Sequence, residues 1–465
     1  MDDIDSAIER EGGLRRSLTV GQLSMLAIGG AIGTGLFLGS AFAIGIAGPA
    51  VIISYAIGAV IALLLMGCLA EMTVAHPSSG SFGLIAGMYV SPLAGFLVRY
   101  AYLAGNILAV GTEVTAIAIY MKYWFPATPG WWWIIGFSGA LVAINAFSVK
   151  TFGAVEYLFS LIKLAAIAIF ILLGSFIVFG AEPGSAIGFA NYTAHGGFLP
   201  NGLWGMWVAV IIAIFSYFSI EMIAVAAGEA KDPKRAIVRA FRMTLFRLTF
   251  FYLATLALML AIVPWNQAGA SGSPFVTVMA ATGITGAAGI INFVILIAAL
   301  SAMNSQIYAS TRMIFSLSRS GFAPAALGRV SDHGVPTMAL GISTIGIAIA
   351  GAIYAARPET AFMLMISLAS FGAMFAWGMI FVTHLFFRAK RGSAEGKFLM
   401  WGYPYTSLAG ALLMAAILFT TFFTEEFRMT LICGLPFLAA LTALYYLRYR
   451  NVEVPVPEAE GGSAP

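Results

Sequence analysis

Apolar runs long enough to cross a bilayer, roughly 18 residues or more, recur along almost the whole chain. A soluble domain cannot bury that much continuous apolar surface, so the runs read as membrane-spanning helices. Of 465 residues, 60% are hydrophobic and only 9% charged, whereas a soluble chain carries about 25% charged residues. The expected fold class is an all-α polytopic membrane protein.

Twelve spans are expected. They run Val20–Ile46, Pro49–Val74, Pro92–Trp124, Trp131–Val149, Ala154–Phe179, Leu203–Glu229, Arg242–Val263, Ala287–Ser318, Pro336–Ala355, Phe362–Phe387, Pro404–Phe423 and Met429–Tyr449. Lys and Arg set the orientation. Arg15, Arg16, Lys150, Arg448, Arg450 and the loops 231–239, 319–329 and 388–397 fall on one side, which is then cytoplasmic. Lys122, Arg357 and Arg428 fall on the other. An even number of spans puts both termini inside. The polar stretch Met1–Ser17 lacks the form of a cleavable signal peptide, and the tail from Val452 reads as disordered. The two cysteines, Cys68 and Cys433, lie in apolar runs and form no metal or disulfide pattern.

The first span carries the feature that says most about function. Glycines at 29, 30, 33 and 35 interrupt it where it should be deepest in the membrane. Each interior glycine costs roughly 1 kcal/mol of helix propensity, and irregular backbone at that depth is tolerated only where it lines a cavity or is buried in protein. Close helix packing through small residues is one reading. The other is a broken helix. A half-helix starting near Thr34–Gly35 would aim N–H groups at an anion, and one ending near Gly29–Ala31 would offer carbonyls to a cation. A second interruption, Phe215–Glu221, falls in the sixth span, five after the first. Interrupted helices at corresponding positions of two halves point to a transporter site.

Ionisable residues inside the apolar runs support that reading. Glu113, Lys163 and Glu221 lie within spans, with Glu71, Glu156 and Glu229 nearer one interface. A charge at the bilayer centre costs at least roughly 2.5–3.5 kcal/mol, so such groups face protein or water and are functional candidates. Lys163, Glu113 and Glu221 are therefore candidates for proton coupling. Glu156 stands seven residues before Lys163 on a similar face, so a structural ion pair between them is the alternative. Asn304, Ser305 and Gln306 form a polar cluster in the eighth span, and Asn106 is similar in the third. Both fit either interhelical hydrogen bonding or a binding site. The four histidines are far apart, and no catalytic motif occurs, so an enzyme is not expected.

Several segments resemble one family in matching order. Leu18–Gln22 and Gly29–Phe37 resemble the first span of amino-acid permeases of the amino acid–polyamine–organocation superfamily. Glu71–Ser81, Phe152–Lys163, Ala227–Lys234, Ser310–Arg319 and Gly321–Pro324 resemble segments of its amino-acid transporter branch. The resemblance implies a LeuT-type fold with inverted five-helix repeats over residues 20–180 and 203–388, followed by two helices over 402–450. Residues 1–19 and 451–465 would then be cytoplasmic ends. It further implies that Gly33, Thr34 and Gly35 meet the substrate carboxylate. Ala31 and the Phe215–Phe218 stretch would meet the amino group, with Phe215 a candidate gate. Asn106, Phe218, Ser219, Asn304 and Ser305 complete the expected site. In the family a fifth-span lysine often stands where a sodium ion would sit. Lys163 occupies that position, which favours protons as coupling ion, no sodium site and no other cofactor. The family commonly has glycine where this chain has Ser219. The implied function is transport of amino acids across the cell membrane, and an apolar, aromatic site with few fixed charges beyond Glu113 and Glu221 favours neutral ones. The expected partners are a small-molecule amino acid and the lipid bilayer, with no nucleic acid. Exchange of amino acids or polyamines, or sensing without transport, are the alternatives.

Overall fold

A computed structural model describes residues 19–76, 80–180, 187–226, 233–268, 272–332, 334–391 and 398–452. Glu229, Lys231, the first part of the Ala227–Lys234 motif, the residues before 19 and those after 452 lie outside them. Among the described residues the regular structure is entirely helical.

Helix α1 (Val20–Ala31) opens with a reciprocal cap. The Thr19 hydroxyl accepts from the Gln22 amide, while the Gln22 side chain accepts from the Thr19 amide, which satisfies two end groups together. The helix stops at Ile32. The chain resumes as a π-helical turn, Gly35–Gly39, that continues into α2 (Ser40–Ala47). A short 3-10 turn around Pro49 leads into α3 (Val51–Ala75), and then α4 (Ser81–Tyr89). Helix α5 (Pro92–Met121) begins with Pro92 and a Ser91 hydroxyl that accepts from the Ala94 amide, both ordinary helix-start devices. Next come α6 (Gly130–Phe147) and α7 (Val149–Phe179). The sixth expected span is split into α8 (Gly202–Tyr217) and α9 (Met222–Val225). Thereafter run α10 (Pro233–Ile262), α11 (Ala287–Arg319), α12 (Thr337–Ser343), α13 (Ile345–Ala356), α14 (Ala361–Arg391), α15 (Tyr405–Thr420) and α16 (Arg428–Leu444).

Eleven helical stretches among the described residues are long and apolar enough to cross a membrane, where twelve spans are expected from the sequence. The difference lies at the start. Ser24–Ala75 is a single apolar stretch of 52 residues, within which Gly48, at a φ of +63°, ends α2 before the 3-10 turn that opens α3.

The helices are sorted by burial. The most apolar window of Gly202–Val225 is wholly buried, whereas the corresponding windows of α6 and α7 are 28% buried. Helix α8 therefore runs through the middle of the bundle and α7 along its rim. The polar residues of α7 follow from that placement. Glu156, Ser160, Lys163, Ile167 and Phe170 share its buried face, while Leu158, Leu172 and Phe176 face outward. At the α5–α14 contact, Gly105 and Gly372 allow close approach. A Cβ on Gly372 would overlap the Ala101 carbonyl, as expected where small residues set helix packing in lipid.

Candidate functional site

The two helix breaks lie side by side in the buried interior. A Cβ on Gly35 would stand 2.9 Å from the Ser216 Cα and 3.3 Å from a Phe215 ring carbon. A Cβ on Gly30 would stand 2.7 Å from the Ser219 Cβ. Glycine at 30 and 35 thus lets the two interrupted backbones touch. Gly29 and Gly33 lie instead against Glu156, and against Glu113 and Ala302, so the run packs the first break on several sides.

At the first break the backbone is held by side chains from three helices. The Lys163 Nζ of α7 donates to the Gly29 carbonyl at 2.6 Å and the Ile32 carbonyl at 2.9 Å. The Thr34 amide donates to the Glu113 carboxylate of α5 at 3.4 Å. Glu113 also lies where a Cβ on Gly33 would fall, 2.9 Å away, with Ala302 of α11 closing the other side. The Tyr252 hydroxyl of α10 is 2.7 Å from the Ala31 carbonyl and 2.7 Å from the Ser216 carbonyl, so it spans both breaks.

At the second break α8 ends with the Phe218 amide donating to the Phe215 carbonyl. The Ser219 amide then donates to the Glu221 carboxylate at 3.2 Å, and Trp377 of α14 donates to its other oxygen at 3.1 Å. The Phe218 ring lies against Tyr102, with centroids 5.9 Å apart. Asn106, one turn along α5, donates to the Tyr102 carbonyl at 2.9 Å. Ala31, Gly33, Thr34, Gly35, Phe215, Phe218, Ser219, Glu113, Lys163 and Glu221 are thus gathered around the paired breaks, with Asn106 just beyond Tyr102.

Asn304 has another destination. Its amide donates to Glu156 at 2.9 Å, and its oxygen accepts from Asn145 of α6 at 2.7 Å. The Glu156 carboxylate also accepts from Ser301, and Ser305 stands beside it. The seven-residue spacing suggested an ion pair between Glu156 and Lys163. In the structure Lys163 turns to the α1 carbonyls, and Glu156 is held by neutral donors from α11. That network sits behind Gly29, where a Cβ would overlap the Glu156 carboxylate.

Tyr252, Tyr102 and Trp377 are the site residues the sequence did not single out. Each is one aromatic in an apolar run, indistinguishable there from a residue facing lipid.

Ser219 takes a backbone φ of +81°, one of two non-glycine residues with positive φ among those described. The left-handed region costs a residue with a Cβ about 1–2 kcal/mol, which accounts for the glycine common at this position in the resembled family. Ser219→Gly is expected to raise stability by about 1 kcal/mol, read as a higher thermal unfolding midpoint of the purified protein. A lower midpoint would contradict the strain.

The amino acid permease family model matches residues 22–453. Three Bacillus subtilis proteins are similar over nearly their whole length. The uncharacterized amino acid permease YtnA is 35% identical over 438 residues, 93% of this chain and 95% of that protein. The probable threonine/serine transporter YbxG is 35% identical with the same coverage, and the amino-acid permease RocE is 36% identical over 444 residues. Among solved structures, a mutant of the Eremococcus coleocola manganese transporter superposes with a TM-score of 0.56 at 14% identity, covering 92% of this chain and 93% of that one. That likeness shows the fold, an all-helical LeuT-type transporter architecture. The family match over almost the whole length shows that the chain belongs to the amino acid permeases of the amino acid–polyamine–organocation superfamily.

Proposed function

We propose that this protein is a secondary active transporter that carries neutral amino acids across the cell membrane by alternating access, together with protons. One observation carries the reading. Two helix breaks lie against each other in the buried centre, one presenting the amide of Thr34 and the other backbone carbonyls beside that of Ala31. An amino acid's carboxylate and ammonium need these two kinds of partner a few ångströms apart. Gly33, Thr34 and Gly35 take the carboxylate in this reading. Ala31 and the Phe215–Phe218 stretch take the ammonium, and the Phe215 ring gates the space between.

The preference for neutral substrates rests on the engagement of the acids nearby. Glu221 accepts from Ser219 and Trp377, Glu113 accepts from Thr34, and the rings of Phe218 and Tyr102 stand together beside the second break. The description of YbxG as a probable threonine/serine transporter agrees with this. Lys163 serves as the proton carrier: its ammonium bridges two α1 carbonyls, and loss of its proton frees them. Glu113 and Glu221 are the further proton candidates. No sodium ion or other cofactor is required. The concentration of Lys and Arg on one side supports a cytoplasmic position for both termini in this reading.

The test is uptake of each of the twenty amino acids into proteoliposomes under an imposed pH gradient. Accumulation of small neutral amino acids that collapses with the gradient is expected. Uptake indifferent to the gradient but accelerated by internal amino acid would make the protein an exchanger, and accumulation of polyamines would change the substrate class. Binding without accumulation would make it a sensor.

A further inference from the structure

We propose that in the substrate-free protein both poles of the amino-acid site are filled by the protein's own side chains. The Glu113 carboxylate takes the carboxylate position and the Tyr252 hydroxyl takes the ammonium position, so a substrate binds by displacing them. The inference rests on the assignment of the paired breaks as the amino-acid site, given above.

Two separate contacts carry it. The Thr34 amide sits at the start of the resumed helix, where a bound anion would be received, and it is already donating to Glu113. That contact is 3.4 Å long, outside the 2.7–3.2 Å typical of an N–H···O bond, so it holds the amide without holding it tightly. At the other pole the Ala31 and Ser216 carbonyls belong one to each break, and both lie 2.7 Å from the Tyr252 oxygen. A phenol has one proton to donate. It can serve either carbonyl at a given moment and never both. An ammonium has three donors and satisfies the two carbonyls together. Each surrogate is thus a poorer partner than the group it stands in for.

Burial explains why surrogates are needed. Glu113 and Tyr252 are 2% and 0% exposed, and the breaks they serve are buried around them. A backbone amide or carbonyl left without a partner in such surroundings costs about 1–3 kcal/mol. Filling the poles internally lets the empty carrier keep both breaks closed against each other. Glu113 also has other partners within reach once Thr34 is given up, because the Gln306 side chain and the Lys163 ammonium both face it. Tyr120 and Tyr252 are the other titratable groups around it.

The experiment compares ligands that carry one pole or both. Purified full-length protein is titrated with each of the twenty L-amino acids, and then with the amino alcohol of each binder, which keeps the ammonium and lacks the carboxylate. Glu113→Gln replaces the competing carboxyl group by an amide whose oxygen accepts more weakly than a carboxylate's, and is expected to tighten amino-acid binding about tenfold while leaving amino alcohols unchanged. Tyr252→Phe withdraws the hydroxyl from both carbonyls, leaving Ala31 only the Gly33 amide at 3.0 Å, and is expected to tighten both kinds of ligand about tenfold. Should Glu113→Gln fail to fold, Glu113→Asp withdraws the carboxylate from Thr34 by one methylene and gives the same selective gain. Weaker or unchanged amino-acid binding in folded variants, with normal binding by the wild type, overturns the displacement and leaves the site assignment standing. A wild-type protein that binds none of the twenty overturns both.

Discussion

Lys163→Ala is expected to abolish concentrative uptake driven by a pH gradient while leaving part of the substrate binding intact. The side chain is fully buried and donates to two carbonyls at the end of α1. Its removal strips both of a charged donor and leaves Glu113 and Glu156 without the cation between them. Accumulation should therefore fall to the level reached without a pH gradient. The contacts assigned to substrate, at Thr34, Ala31 and Ser216, involve other side chains, so binding should survive in weakened form. Proteoliposome uptake with and without the gradient, alongside equilibrium binding, separates the two effects. Concentrative uptake at the wild-type level in this variant would remove Lys163 from the coupling mechanism.

Much of this arrangement was legible in the sequence, for identifiable physical reasons. Apolar length marks most of the membrane helices, and glycine density marks the first break, because both are local properties of the chain. Where local signals mislead, the cause is equally local. Helix α10 begins at Pro233 and the expected span at Arg242, since the basic residues between them lower hydropathy without disfavouring a helix. A proline in the first turn suits such a start. Tertiary destinations were not legible. Asn304 is polar in an apolar helix whether it meets a substrate or Glu156, and only the neighbouring helices decide. Tyr252 was hidden altogether: its role depends on two carbonyls that precede it in the chain by 221 and 36 residues. Ser219 is intermediate. Its departure from the resembled pattern is visible in sequence, but its cost appears only with the φ of +81°.

Away from the breaks, Glu71→Ala is expected to cause the largest loss of stability. Glu71, 5% exposed near the end of α3, accepts from the Met400 amide at 2.6 Å and stands 3.1 Å from the His384 Nε2. Its other oxygen pairs with Arg388 at 3.2 Å. His384 continues through its Nδ1 to the Ser407 hydroxyl at 2.8 Å, and Ser407 reaches the Cys68 sulfur of α3. One carboxylate thereby joins α3, α14 and the segment leading into α15. The alanine variant leaves a buried amide and the Arg388 cation without their acceptor, and losing one partner of such a set costs roughly 3–5 kcal/mol. Glu71→Gln keeps an acceptor oxygen and loses the charge, so it should fall between wild type and alanine. Thermal unfolding of the three proteins in detergent checks the order. Helices α3 and α14 touch the breaks through Tyr55 and Trp377, which lie about two turns or more along those helices from Glu71 and His384, so the residual folded alanine variant should bind substrate with the wild-type affinity. A stable Glu71→Ala protein with altered affinity would instead place this cluster in the transport cycle, as a latch between α14 and the rest of the bundle.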